Sequence, residues 1–98
     1  MKRFELSRRA LRDLEGILDF IAERSLDAAD RVQDDFDRAF RRLAQDPGMG
    51  HLRQDLTKRE VLFWRVHSYL VIYEGSTPLR IVRILHGKRD VSKVFPKG

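Results

Sequence analysis

The fold turns on the reading of one stretch: Val61-Leu62-Phe63-Trp64-Arg65-Val66, His67-Ser68, Tyr69-Leu70-Val71-Ile72-Tyr73, Gly75-Ser76-Thr77-Pro78 and Leu79-Arg80-Ile81-Val82-Arg83-Ile84-Leu85. It is rich in β-branched and aromatic residues and is cut by two short groups of turn formers. That composition reads as three strands. Their connections are too short for anything but antiparallel pairing, so they form a meander. Leu79, Ile81 and Leu85 alternate with Val82 and Ile84, so both faces of the sheet carry apolar side chains. One face needs the rest of the chain. The other predicts a protein partner, because a small domain seldom leaves such a face bare. Trp64 is expected to be partly buried.

Upstream the period changes to that of a helix. Ser7 reads as an N-cap, followed by Ala10, Leu11, Leu14, Ile17, Leu18, Ile21 and Ala22 on one stripe. Gly16 interrupts the helix interior at a cost of about 1 kcal/mol against Ala, which suggests close approach of another element. Asp27 is the expected cap of a second helix, whose stripe is Ala29, Val32, Phe36, Ala39, Phe40 and Leu43. Asp46-Pro47-Gly48 ends it, since proline cannot continue the ladder. The short joint makes the two helices an antiparallel hairpin. Phe4-Glu5-Leu6 reads as a short strand, residues 48–59 as a loop, and 91–95 as one loose turn after Gly87. The expected class is α+β: an N-terminal short strand, a helix hairpin and a three-stranded antiparallel meander, with both helices on one sheet face.

At 98 residues a single domain spanning 1–98 is expected. There is no cysteine, which excludes disulfides and a thiolate nucleophile. No apolar run approaches a membrane span, and the first five residues do not read as a signal peptide. A cytoplasmic protein without membrane contact is the expectation. The net charge of +5 is unevenly placed. Residues 1–57 carry eleven basic and twelve acidic groups, whereas residues 58–98 carry nine and three, a net of +6. A basic segment of that kind suits nucleic acid, an acidic protein or another anionic surface.

His51, His67 and His86 have no metal-ligand spacing, so neither a metal site nor a cofactor is expected. His86 has two readings: a strand-end histidine bonded to backbone, or a general acid or base. The basic set is Arg65, Arg80, Arg83, Lys88, Arg89, Lys93 and Lys97, with Arg83 expected opposite Arg80 and His86 on the strand. Such groups could stabilise a scissile phosphate or meet an acidic protein surface. Asp90 beside Arg89 could equally form a local ion pair.

The runs Leu6-Ser7-Arg8-Arg9-Ala10-Leu11-Arg12-Asp13-Leu14-Glu15-Gly16-Ile17, Tyr69-Leu70-Val71-Ile72-Tyr73 and Arg83-Ile84-Leu85-His86-Gly87-Lys88-Arg89-Asp90 resemble the RelE/ParE superfamily of type II toxin–antitoxin toxins. The last run, with Pro47, Arg53 and Leu56, resembles the ParE branch. RelE-like members cut mRNA on the ribosome, whereas ParE-like members poison DNA gyrase without being nucleases. Leu70 stands where RelE carries an arginine, and Phe95 where it carries a tyrosine. Arg89 matches a RelE active-site arginine. The resemblance therefore implies a ParE-like gyrase inhibitor that serves plasmid stabilisation. The ribosome-dependent endoribonuclease is the alternative, with Arg65, Arg83, His86 and Arg89 as its catalytic set. For the gyrase reading, Arg83, Lys88, Arg89 and Lys93 would touch the target. A ParD-like antitoxin would bind Leu14, Leu18, Phe63, Arg65, Val71 and Tyr73, and DNA would be met only through that complex.

Overall fold

The computed structural model describes residues 3–95, and of Lys88 and Arg89 only the backbone. Its elements are β1 (Phe4–Leu6), α1 (Arg8–Ala22), α2 (Leu26–Gln45), a 3₁₀ turn (Pro47–Met49), β2 (His51–Leu52), β3 (Leu62–Val66), β4 (Tyr69–Glu74), β5 (Leu79–Leu85) and α3 (Gly87–Val94). The α+β class holds. The sheet has five strands in the order β1-β5-β4-β3-β2. The meander β3-β4-β5 is antiparallel as expected, and β1 joins β5 in parallel. The strand β2 was not foreseen: within the expected loop, His51 and Leu52 pair with Phe63 and Leu62. Two residues are too few to show a period.

Ser7 welds helix to sheet. Its N–H donates to the Ile81 carbonyl at 2.9 Å, and its hydroxyl donates to the Val82 carbonyl at 2.7 Å. The same oxygen accepts the Ala10 N–H at 3.0 Å and caps α1. The cap of α2 is Ser25, not Asp27. Ser25 is extended, and its hydroxyl accepts the Ala28 N–H at 3.1 Å. Asp27 lies two residues beyond the cap, in the first turn, where its charge suits the positive helix end.

The hairpin covers one sheet face. Ala10, Leu14, Phe36, Phe40 and Leu43 meet Val66, Val71, Tyr73, Leu79, Ile81 and Ile84 in the larger core. Phe36 stands 5.9 Å from both Phe40 and Tyr69, in the tilted geometry aromatic rings prefer. Trp64 packs half-buried against this core.

The other face corrects two expectations. It is not bare, and residues 91–95 are not a loose turn. Gly87, at a φ of 83° that favours glycine, turns the chain from β5 into α3. Val91 and Phe95, four residues apart on one helical side, then close over Phe63, Ile72 and Leu85 with Leu56 and Val61. The Arg59 guanidinium caps the Phe95 ring at 4.7 Å. The apolar face thus finds its cover within the chain, and it no longer argues for a partner.

The strict alternation expected along β5 also fails. Tyr73 opposes Ile81 while Ile72 opposes Arg83, so Val82 is a bulge with no opposite residue. Beyond it the phase slips: Leu79, Ile81 and Ile84 all face the hairpin, and Val82 and Leu85 face α3.

Candidate functional site

An open groove of about 740 Å³ runs between α1, the end of β5 and α3. Helix α1 contributes Arg12, Asp13, Gly16, Ile17 and Phe20. The far wall is Tyr69, Arg83 and His86, with Asp90, Lys93 and Val94 from α3. The β5 bulge explains why Arg83 is here. Its guanidinium meets Asp13 of α1 in a bidentate pair, Nε to Oδ2 at 2.8 Å and Nη2 to Oδ1 at 3.1 Å. Asp13 Oδ2 also accepts the Ile84 N–H at 3.0 Å. The two side chains are 16% and 17% exposed. The hydrogen bond to Asp13 raises the Arg83 pKa, against the opposing effect of burial. Arg83 therefore stays charged, with two of its donors committed to Asp13.

His86 is exposed at the start of α3, and its ring tilts against Tyr69 at a centroid distance of 5.1 Å. Neither the hydrogen bond to backbone nor a carboxylate partner that would orient it as a base is found among the described residues. Lys93 brings an exposed ammonium to the same groove. Of the expected target-binding residues, Arg83 and Lys93 are thus together. The side chains of Lys88 and Arg89, and all of Lys97, lie outside the described residues.

Arg65 does not join them. It is exposed on β3 and opposite Leu70, and Leu70 in turn pairs with Leu85. It lines a different recess with Asp35, Arg38, Arg42, Trp64 and His67. There His67 places Nε2 2.7 Å from Asp35 Oδ2. The four-residue nuclease set is therefore not assembled around one point by the residues described. The expected antitoxin-binding set divides as well. Leu14, Phe63, Val71 and Tyr73 are buried in the chain's own two cores, whereas Leu18 is half-buried and Arg65 exposed.

Reading the sequence missed much of α1's contribution. Phe20 falls off the apolar stripe and is 56% exposed, with Arg24 over its ring at 5.4 Å. The expectation for Gly16 is overturned: a Cβ there would meet nothing within 4 Å. It opens the groove wall and admits no neighbouring element. The helix-breaking residue was a usable signal, and its meaning needed the groove.

Among the described residues no three His, Asp or Glu side chains converge to hold a metal ion, and no helix is long and apolar enough to cross a membrane. No curated protein sequence matches the chain. Among solved structures it is similar to a chain of the chromosomal ParDE toxin–antitoxin system from P. aeruginosa, with a TM-score of 0.67 and 18% identity over 85% of this chain and 92% of that one. At that identity the likeness bears on the fold alone. The family model of the ParE toxin of the type II toxin–antitoxin system parDE matches residues 4–91. That match spans every element from β1 into α3, and the chain accordingly belongs to the ParE family of type II toxins.

Proposed function

We propose that this ParE-family chain halts growth by binding DNA gyrase through the α1–β5–α3 groove, without catalysis of its own. The observation that carries the reading is the Asp13–Arg83 pair. An arginine that holds a scissile phosphate needs free donors, and this one is fastened to a carboxylate on two of them. Arg83 then organises the groove, while Lys93 and the exposed groups of α1 touch the target. Lys88 and Arg89 follow in sequence at the same end and belong to the proposed contact set.

The partner that silences it is a ParD-like antitoxin whose toxin-binding segment is acidic, to match the net +6 of residues 58–98. Leu18 and Arg65 are the expected contacts that the fold leaves accessible. The antitoxin carries the sequence-specific DNA contacts of the repressing complex. On a plasmid, such a module would stabilise its carrier. The gyrase target places the chain in the cytoplasm.

The test is induced expression with mRNA integrity and DNA damage followed together, for the wild type and His86→Gln. Glutamine keeps a hydrogen-bonding side chain and removes the group that titrates near neutrality. Toxicity that survives the change, with DNA damage and intact mRNA, is expected. Codon-linked mRNA cuts that vanish in His86→Gln would make the chain a ribosome-dependent endoribonuclease instead.

A further inference from the structure

A second cleft, of about 360 Å³, lies at the opposite end of α1 from Phe20. Arg8 and Arg9 of α1, Arg59 from the loop before β3, and Arg80 and Arg83 of β5 line it, with Phe95 at its base. Arg83 is held by Asp13, but the other four are exposed. Arg8 and Arg9 have no acidic partner among the described residues. Arg80 has only surface carboxylates, Glu5 at 3.4 Å and Glu74 at 3.8 Å, and such pairs are weak enough for a stronger anion to displace. Arg59 is positioned by the Phe95 ring beneath it. The first turn of α1 contains no acid, so Arg8 and Arg9 stand against the positive end of their own helix. An anion in the cleft would relieve that arrangement.

We propose that this cleft holds the phosphate backbone of duplex DNA. Guanidinium forks match phosphate oxygens, and phosphate contacts of this kind are independent of base sequence. The cleft's one aromatic ring, Phe95, is 3% exposed. It offers no stacking face for an unpaired base, which is what a single strand would use. The proposal stands apart from the gyrase reading and adds a direct, sequence-independent contact to the one made through the antitoxin.

Fluorescence anisotropy with a 20-base-pair labelled duplex and the full chain without antitoxin, at about 50 and 200 mM salt, tests it. Arg8→Ala with Arg9→Ala should weaken binding at the lower salt by about tenfold or more. It should also flatten the slope of log K against log salt by about 2, one unit for each lost phosphate contact. Arg38→Ala with Arg42→Ala removes the same charge from exposed positions of α2 outside the cleft and should bind like the wild type. Equal loss in both double variants would reduce the effect to net charge and overturn the proposal. So would an unaffected Arg8/Arg9 variant, an absence of duplex binding, or tighter binding of the single strand.

Discussion

The two arms of the hairpin obey different rules. Apart from an exposed Leu26 at its start, helix α2 follows the requirements of stability: a serine cap, Asp27 in its first turn, Arg42 in its last, and a stripe of Ala29, Phe36, Phe40 and Leu43 inside. Helix α1 reverses the charges. It opens on Arg8-Arg9, has no acid in its first turn and no base in its last, and keeps a glycine in its middle. Each misplaced charge costs about 0.3–1 kcal/mol at a surface helix end. Leu11 and Phe20 lie largely in solvent. Departures from local consistency of this kind collect where a protein works on something else. Helix α1 lines both the groove and the arginine cleft; α2 lines neither. The difference separates an arm that holds the fold from an arm that presents it.

The largest expected effect divides two phenylalanines. Phe36→Ala on α2 empties a fully buried site and should cost about 3–5 kcal/mol in chemical denaturation, with growth inhibition lost because the fold is lost. Phe20→Ala on α1 should stay within about 0.5 kcal/mol of the wild type and still lose most of its growth inhibition. Equal stability losses would erase the distinction between the arms.

A smaller effect concerns the end of α2. The Tyr73 hydroxyl donates to the Pro47 carbonyl at 2.7 Å and accepts the Gly50 N–H at 2.8 Å, tying the turn after α2 to the sheet. A side chain at residue 50 would collide with that ring, which accounts for glycine there. Burial pushes the Tyr73 pKa above the usual 10.0. Folding therefore favours the neutral phenol. Its contribution is complete below about pH 10 and is lost as pH rises from there through the folded-state pKa. Tyr73→Phe should cost about 1–2 kcal/mol at neutral pH and flatten the alkaline part of the stability profile, as read by denaturation between pH 8 and 11. An unchanged alkaline slope would show that Tyr73 does not carry it.

The same contrast explains what could be read without coordinates. The stripes of both helices and the composition of β3, β4 and β5 identified the α+β class, because long periodic segments record their own burial. Short elements do not. β2 has two residues, and α3 declares itself only through Val91 and Phe95, whose common helical side is invisible in a run of five. The bare sheet face was therefore inferred in error: its cover lay in a segment too short to register. Arg83 was singled out for its charge, yet its direction depended on the Val82 bulge, a register event with no residue signature. For the groove, the chemistry-bearing groups at the end of β5 were evident in order along the chain. The α1 wall was not, since Gly16 reads equally as close contact or as open space.

Gly16 gives the most direct test of the claim that α1 is a presenting arm. Gly16 lines the groove and a Cβ there meets nothing within 4 Å, and glutamine is a better helix former than glycine by roughly 0.5 kcal/mol. Gly16→Gln should match or exceed the wild type in thermal stability while its growth inhibition on induced expression falls sharply. Full growth inhibition by a Gly16→Gln chain of undiminished stability would contradict the account, because the groove could then be filled without consequence.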